Sequence, residues 1–427
     1  MPITRIHARE VLDSRGRPTV EAEVEADGVV GRAIAPSGAS TGAAEALELR
    51  DADERRYDGL GVLRACENVN RVIAPALLGI DAVDQIAVDT KLFELDGSPQ
   101  KTHLGGNALL AVSLAAAHAA AAAEGIPLYR HFARLRARFE GRHEADAEPD
   151  VRMPLPMTNM ISGGLHAGGN LDFQDVLIMP VGAADYRTGL EWIVRVYNRL
   201  GKLLEAAGYE GRLVGDEGGF GPRLKSNREA VALVVRAIEA AGLRPKDDVT
   251  IALDVAATHF FHEGHYHLAA EQDVRLTSAD MVDRLEAWID EFPITSIEDA
   301  LAEEDWDGWQ LLTRRLGKRV RLVGDDLLAT NVVRVRKAIQ LRAANSALIK
   351  VNQIGTLTET FQTMHAARQA GFTLVVSARS GETEDTTIAD LAVGWSAELI
   401  KIGSIVRSER LAKYNQLLRI EEALAGG

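Results

Sequence analysis

Cysteine is all but missing: Cys66 is the single thiol in 427 residues. One thiol closes no internal disulfide and builds no thiolate zinc site. An excess of basic residues is missing as well. Lys and Arg number 48 against 62 Asp and Glu, for a formal charge of -14. That excludes the basic footprint a nucleic-acid binder needs, yet a few local cations can still serve a small anionic substrate. The opening residues, MPITRIHARE, lack the apolar centre of a signal peptide. No long apolar run reads as a membrane span. The most apolar stretch, Asn107 to Glu124, is short, dominated by alanine and interrupted by Ser113 and His118. These absences make a cytoplasmic enzyme the leading class, with no nucleic-acid or membrane partner. A scaffold or binding protein is the alternative.

What is present suggests two units. The length exceeds most single cores, so two or three domains, or one large barrel with a smaller unit, are expected. Val20, Ala22 and Val24 alternate with Glu21, Glu23 and Glu25, the period of a half-exposed strand. Asp27-Gly28 supplies a hairpin turn, and Val29 to Ala35 returns as the partner strand. Pro36-Ser-Gly-Ala-Ser-Thr-Gly42 reads as a mobile loop, and the alanine-rich run as a buried helix. Arg134 to Arg152 is charged and reads as a linker or surface hairpin, which sets the domain boundary. Beyond Pro154, short β-rich runs alternate with amphipathic helical stretches such as Met281 to Phe292 and Leu357 to Gly371. The expected strands are Val176–Met179, Leu213–Gly215, Val249–Asp254, Thr295–Asp299, Arg321–Asp325, Ala347–Lys350, Leu374–Ser377 and Leu399–Ile402. This alternation suggests an α/β fold with a parallel barrel; a doubly wound sheet is the alternative.

Polar residues end these strands in a regular series: Asp254, Glu298, Asp325, Lys350, Arg379 with Ser380, and Lys401. From Glu298 onward the spacings are 27, 25, 29 and 22 residues, each suited to one strand-helix unit. A single Asp after a strand is more often a helix cap than a ligand, but six such positions in succession describe a barrel active site. Asp254, Glu298 and Asp325 are three hard oxygen donors of the kind Mg²⁺ takes. The lysines and the arginine call for an anionic substrate that bridges them to the metal. A lysine beside other cations and a metal has a lowered pKa and can act as a base, a role open to Lys350 or Lys401. VGDEGGF presents Glu217 from a turn, and SGGLHAGGN places His166 in a glycine-rich loop. Read alone, the first is equally an ordinary surface turn and the second a solvated histidine.

LDSRGRPTVE, PSGASTG, ELRD, VGDEGGF, SIED, LVGDD, IKVNQIGTLTET, RSGETEDTTIADLAVG and RSERLAKYNQLLRIEE together resemble the enolase family along essentially the whole chain. The resemblance implies an N-terminal α+β domain over 1–135, a linker or hairpin over 136–152, and a TIM-like (β/α)8 barrel with one atypical repeat over 153–427. It implies dehydration of a small phosphorylated substrate, 2-phosphoglycerate, to phosphoenolpyruvate, by a protein assembled as a homodimer or an octamer of dimers. Asp254, Glu298 and Asp325 would hold one Mg²⁺, and Ser40 would help bind a second that arrives with substrate. Lys350 would be the base that generates an aci-carboxylate, and Glu217 the acid. Arg379 and Ser380 would meet the phosphoryl group, Lys401 the carboxylate side, and His166 would match the family's loop histidine.

Departures from the family pattern stand beside these matches. Ala378 occupies the place of a histidine, Asp175 that of a glutamate, and Ser162 that of an asparagine; Arg17 also departs, and the chain stops soon after RIEEALAGG. The first two lie on the leaving-hydroxyl side of the family's site and would enlarge it. They open a second reading, a paralogue that keeps the enolate chemistry with another partner, such as a carboxyphosphonoenolpyruvate synthase of phosphonate biosynthesis. A non-catalytic moonlighting role is the third.

Overall fold

The computed structural model describes residues 1–38, 42–142 and 150–426. Its first sheet is an antiparallel meander of β1 (Ile3–Leu12), β2 (Pro18–Ala26) and β3 (Val29–Ile34). The Val20/Ala22/Val24 face is fully buried, while the alternating glutamates face Arg9, which pairs with both Glu21 and Glu23. Asp27 and Gly28 turn the hairpin with φ of 50° and 78°, the left-handed pair of a type I′ turn. Against the apolar face lies the alanine-rich helix Gly106–Ala123. By length and composition it could cross a membrane, but it is 83% buried inside the protein. Small side chains allow the close approach: a methyl group at Gly31 would overlap the helix backbone at Ala115 and Ala119. The helix Leu128–Phe139 follows, so residues 134–139 continue a helix where a linker was expected. Arg134 and Arg138 are half-buried while Arg136 is buried and donates to Ser396 and the Asp150 carbonyl; their charge makes the stretch look like a linker in sequence. Residues 143–149 and Ser40 lie outside the described residues.

The second half closes into an eight-stranded barrel, which excludes the doubly wound sheet. Around the barrel run β4 (Leu155–Ser162), β5 (Asp175–Met179), β6 (Thr250–Asp254), β10 (Ile294–Glu298), β11 (Arg321–Gly324), β12 (Ser346–Ile349), β13 (Thr373–Ser377) and β14 (Leu399–Gly403), which returns to β4. Between β6 and β10 the chain forms a small separate sheet of β7 (Phe261–His262), β8 (His265–Leu268) and β9 (Val274–Leu276). β5 is antiparallel to both of its neighbours, and every other pairing is parallel. This is the atypical repeat. It brings the start of β5, at Asp175, to the end where the other strands finish. Met157, Leu177, Met179, Ala252, Val323, Leu348, Val375 and Leu399 fill the barrel interior.

One strand expectation fails and one strand was missed. Leu213–Gly215 forms only a single bridge, Val214 with Phe220, and Leu213 is 65% exposed, so no ladder partner covers it. β4 is instead the missing strand. Its run LPMTNMIS is broken by polar Thr158, Asn159 and Ser162, all fully buried in the folded chain.

Candidate active site

The strand ends deliver the polar residues to one mouth. Asp254 ends β6, Glu298 ends β10, and these two are register partners. Asp325 and Lys350 each follow a strand directly, Ala378, Arg379 and Ser380 follow β13, and Lys401 lies in β14 opposite Ser377. The Lys401 ammonium donates to Asp254 Oδ2 at 2.7 Å and to both Glu298 oxygens at 2.8 and 2.9 Å. Lys350 pairs with Asp325 Oδ2. Two amides complete the frame: Gln174 Nε2 donates to Asp254 at 3.1 Å and Gln353 Nε2 to Asp325 at 2.9 Å. Thr330 holds Gln353 from behind at 2.6 Å.

Burial disfavours charge on every one of these groups, so the neighbours decide. Burial and the adjacent Asp254 hold Glu298 well above the usual carboxylate range. Burial and Asp325 push Asp326 up to about 7. Burial works against the Lys350 ammonium, but the carboxylates led by Asp325 together offset it, and its pKa is raised. The lowered lysine pKa is expected beside other cations and a bound metal; among the protein's own groups alone, Asp325 and Glu298 outweigh Arg379 and Lys401. Lys401 is likewise held well above its ordinary value, chiefly by Asp254 and Glu298 against burial.

Three carboxylates converge in a buried site, crowded enough that Asp254 helps keep a proton on Glu298, a place a divalent cation would fill instead, and all the donors are hard oxygens. This is the chemistry of a Mg²⁺ site, and Asp254, Glu298 and Asp325 fit it. A tighter acidic group, Asp299 with Asp325 and Asp326, has its ligand atoms within 4.8 Å of one another. Asp299 serves another purpose there. Its two oxygens accept the Asp325 and Asp326 backbone N–H groups at 2.9 and 2.8 Å, fixing the turn that presents Asp325.

A second group gathers where the reversed strand begins. His166 Nδ1 lies 2.9 Å from Asp175 Oδ2, and the Ser162 hydroxyl donates to Asp175 Oδ1 at 2.7 Å. His166 Nε2 faces Glu217 Oε1 at 3.8 Å, and Asn159 holds the other Glu217 oxygen at 3.0 Å. Burial opposes the imidazolium, but Glu217 and Asp175 overcome it and push His166 up to about 9. Burial keeps Asp175 raised. Glu217 is lowered, because His166, Arg410 and the lysines outweigh its burial. On this side the proton rests on His166. The two departures Ser162 and Asp175 are thus direct partners: Asp175 is 1% exposed and spends both oxygens on Ser162 and His166.

The first domain completes the site. Glu45 pairs with Arg379 at 3.0 Å, and Asn352 accepts from the same guanidinium at 2.8 Å. Arg15 donates to the Ser380 hydroxyl at 3.3 Å, and Ser37 bridges Gly381 through paired backbone bonds of 2.9 Å. Behind this loop the fully buried Arg410 donates to the carbonyls of Arg379 and Ser380 at 2.6 and 2.7 Å. Glu45, Gln353, Asn159 and Arg410 escaped the sequence reading. None ends a strand, and only the folded chain brings Glu45 within reach of residue 379. The cavity they leave is small, about 20 Å³, and is lined by His166, Gln174, Glu217, Asp254, Lys350, Ser377, Ala378, Arg379, Ser380 and Lys401.

Comparison with known families follows the same division. Residues 3–132 match "Enolase, N-terminal domain" and residues 150–427 match "Enolase, C-terminal TIM barrel domain". With both domains matched over nearly its full length, the chain belongs to the enolase family.

Proposed function

We propose that the protein is a Mg²⁺-dependent lyase that dehydrates 2-phosphoglycerate to phosphoenolpyruvate. The observation that carries this reading is a single cavity shared by Asp254, Lys350, Glu217, His166, Arg379, Ser380 and Lys401, whose two lysines pair with Glu298 and Asp325. Asp254, Glu298 and Asp325 would hold Mg²⁺, which supplies Lewis-acid stabilisation of the substrate carboxylate as it gains charge. Lys401 adds a fixed cation for that carboxylate, and Arg379 with Ser380 meets the phosphoryl group. Asp325 holds the proton on Lys350; with that carboxylate committed to Mg²⁺ the ammonium would lose its main partner, and the freed Lys350 Nζ would take the proton beside the carboxylate, giving the aci-carboxylate. Glu217 is ionised, so it delivers a proton to the departing hydroxyl only with His166 Nε2 as its source. The buried Gln174 Oε1, in the same cavity, lacks a donor among the described residues and suits a substrate hydroxyl. Fixed groups of this kind, aimed at developing charge, are usually the largest catalytic contribution.

Solvent exchange separates the two proton-transfer steps. Lys350→Ala abolishes exchange of the α-proton with deuterated solvent, while Glu217→Gln keeps exchange and forms little product. Each substitution costs roughly 10²–10⁴-fold in turnover. Normal exchange in the lysine variant overturns the assignment. A second reading is favoured by one observation: Ala378 lines the cavity with a methyl group only. That space suits a partner substrate bound beside the reacting carbon, as in carboxyphosphonoenolpyruvate synthesis. Native protein is assayed for phosphoenolpyruvate with and without a nucleotide-activated phosphonoformate. Strong dehydration with no phosphonate product removes the second reading, and the opposite result removes the first.

A further inference from the structure

The excursion between Asp254 and the helix Ser278–Glu291 carries the sequence THFFHEGHYHL, with four histidines in nine residues, 259–267. His259 belongs to the short turn Ala257–Phe260 that follows β6. The other three sit on the small sheet. Glu263 and Gly264 join β7 to β8 with φ of 51° and 79°, a tight hairpin turn. His262 pairs directly with His265 across that turn, and His265 and His267, two residues apart, share one face of β8. The other face is spent on the core: Tyr266 and Leu268 are fully buried. The sheet therefore turns its apolar side chains inward and all three imidazoles outward, His262 and His265 exposed and His267 half-buried.

The imidazoles are also oriented. The rings of His262 and His267 have centroids 6.0 Å apart. His265 Nδ1 lies 3.2 Å from the Glu263 carbonyl oxygen, and His267 Nδ1 lies 3.9 Å from Asp273 Oδ1. In His265 the hydrogen bond to that carbonyl occupies Nδ1, which leaves Nε2 as the ligating atom. Metal-binding histidines are held in the same way by outer-shell acceptors. Asp280 also feels the charge of His265, so acidic groups surround the face; Arg275, register partner of His267, is the opposing cation.

We infer that His262, His265 and His267 form a second metal site, for a divalent transition ion that prefers imidazole nitrogen, such as Cu²⁺ or Zn²⁺. The donor set separates it from the barrel mouth. Imidazole suits copper, zinc and nickel, whereas the barrel carboxylates suit Mg²⁺, and Cu²⁺ binds such a nitrogen site most tightly. The face lies on the stretch that leads directly out of Asp254.

The full chain, first saturated with Mg²⁺, is titrated with Cu²⁺ and followed by electron paramagnetic resonance. One equivalent is expected with nitrogen hyperfine structure from at least two imidazoles. A His262→Ala/His267→Ala double variant loses that equivalent, as does His265→Ala at the exposed tip of the hairpin. His7→Ala, on an exposed position of β1, keeps it. Circular dichroism of each variant confirms folding, and broadening of the three imidazole proton signals by Cu²⁺ in the unmutated protein reads the site without any substitution. Absence of a nitrogen-ligated equivalent, unbroadened imidazole signals, or undiminished binding in the double variant overturns the proposal.

Discussion

Asp175→Asn tests how the proton on the leaving-group side is held. His166 rises from an ordinary 6.5 to about 9, a preference for the imidazolium of roughly 3 kcal/mol at about 1.36 kcal/mol per unit. Burial works against that preference, so Glu217 and Asp175 supply more than the net. Asparagine keeps the size of Asp175, with its oxygen accepting from His166 and its amide donating to the Ser162 hydroxyl, but it removes the negative charge 2.9 Å from Nδ1. Loss of an opposite charge at that range lowers the His166 pKa by about 1–3 units. The titration is read directly from the His166 ring signals by NMR. If His166 is the proton source for Glu217, turnover on the alkaline side falls as the imidazolium loses its proton. That falling limb moves to lower pH by the same amount in the variant. An unmoved ring titration removes Asp175 as the group that sets it. A ring titration that moves while the alkaline limb stays in place removes His166 from the proton path.

Three further outcomes are expected. Asp254→Asn weakens Mg²⁺ binding measured by calorimetry and lowers turnover; unchanged affinity would take Asp254 out of the metal site. Gly31→Ala forces a methyl group into the helix backbone behind the first sheet, costing about 1–3 kcal/mol of stability, read as a lower urea midpoint without loss of Mg²⁺ affinity. Ala378→His together with Asp175→Glu leaves dehydration similar or better if the protein is a simple dehydratase. If a second substrate uses the space, the same pair of changes raises dehydration and abolishes the native reaction, and product analysis separates the two results.

The barrel and its mouth were legible because period and chemistry agree there. Each buried strand is a short apolar run, and the residue that ends it is charged. β4 was hidden because its buried positions include Thr158, Asn159 and Ser162, whose hydrogen bonds to Tyr414, Glu217 and Asp175 leave no trace in hydropathy. The Leu213 run looked like a strand because three residues cannot show whether a partner exists. The charge state of Lys350 was not legible for a different reason. Residue types told which charges converge, but not that Asp325 pairs directly with Lys350. Glu45 lies far in sequence from Arg379, and its role depends on how the two domains pack against each other through one continuous core.

That meeting has a practical consequence. Glu45, Arg15 and Ser37 reach the Arg379–Gly381 loop from the first half of the chain, and the carboxylates and lysines come from the second. Neither half holds a complete site. A chain severed between Arg142 and Asp150 regains turnover only when the two fragments find each other. Fused to two unrelated proteins, the fragments would make a complementation reporter whose signal is catalytic and grows with time, so that brief or weak encounters between the fused partners leave an accumulated record.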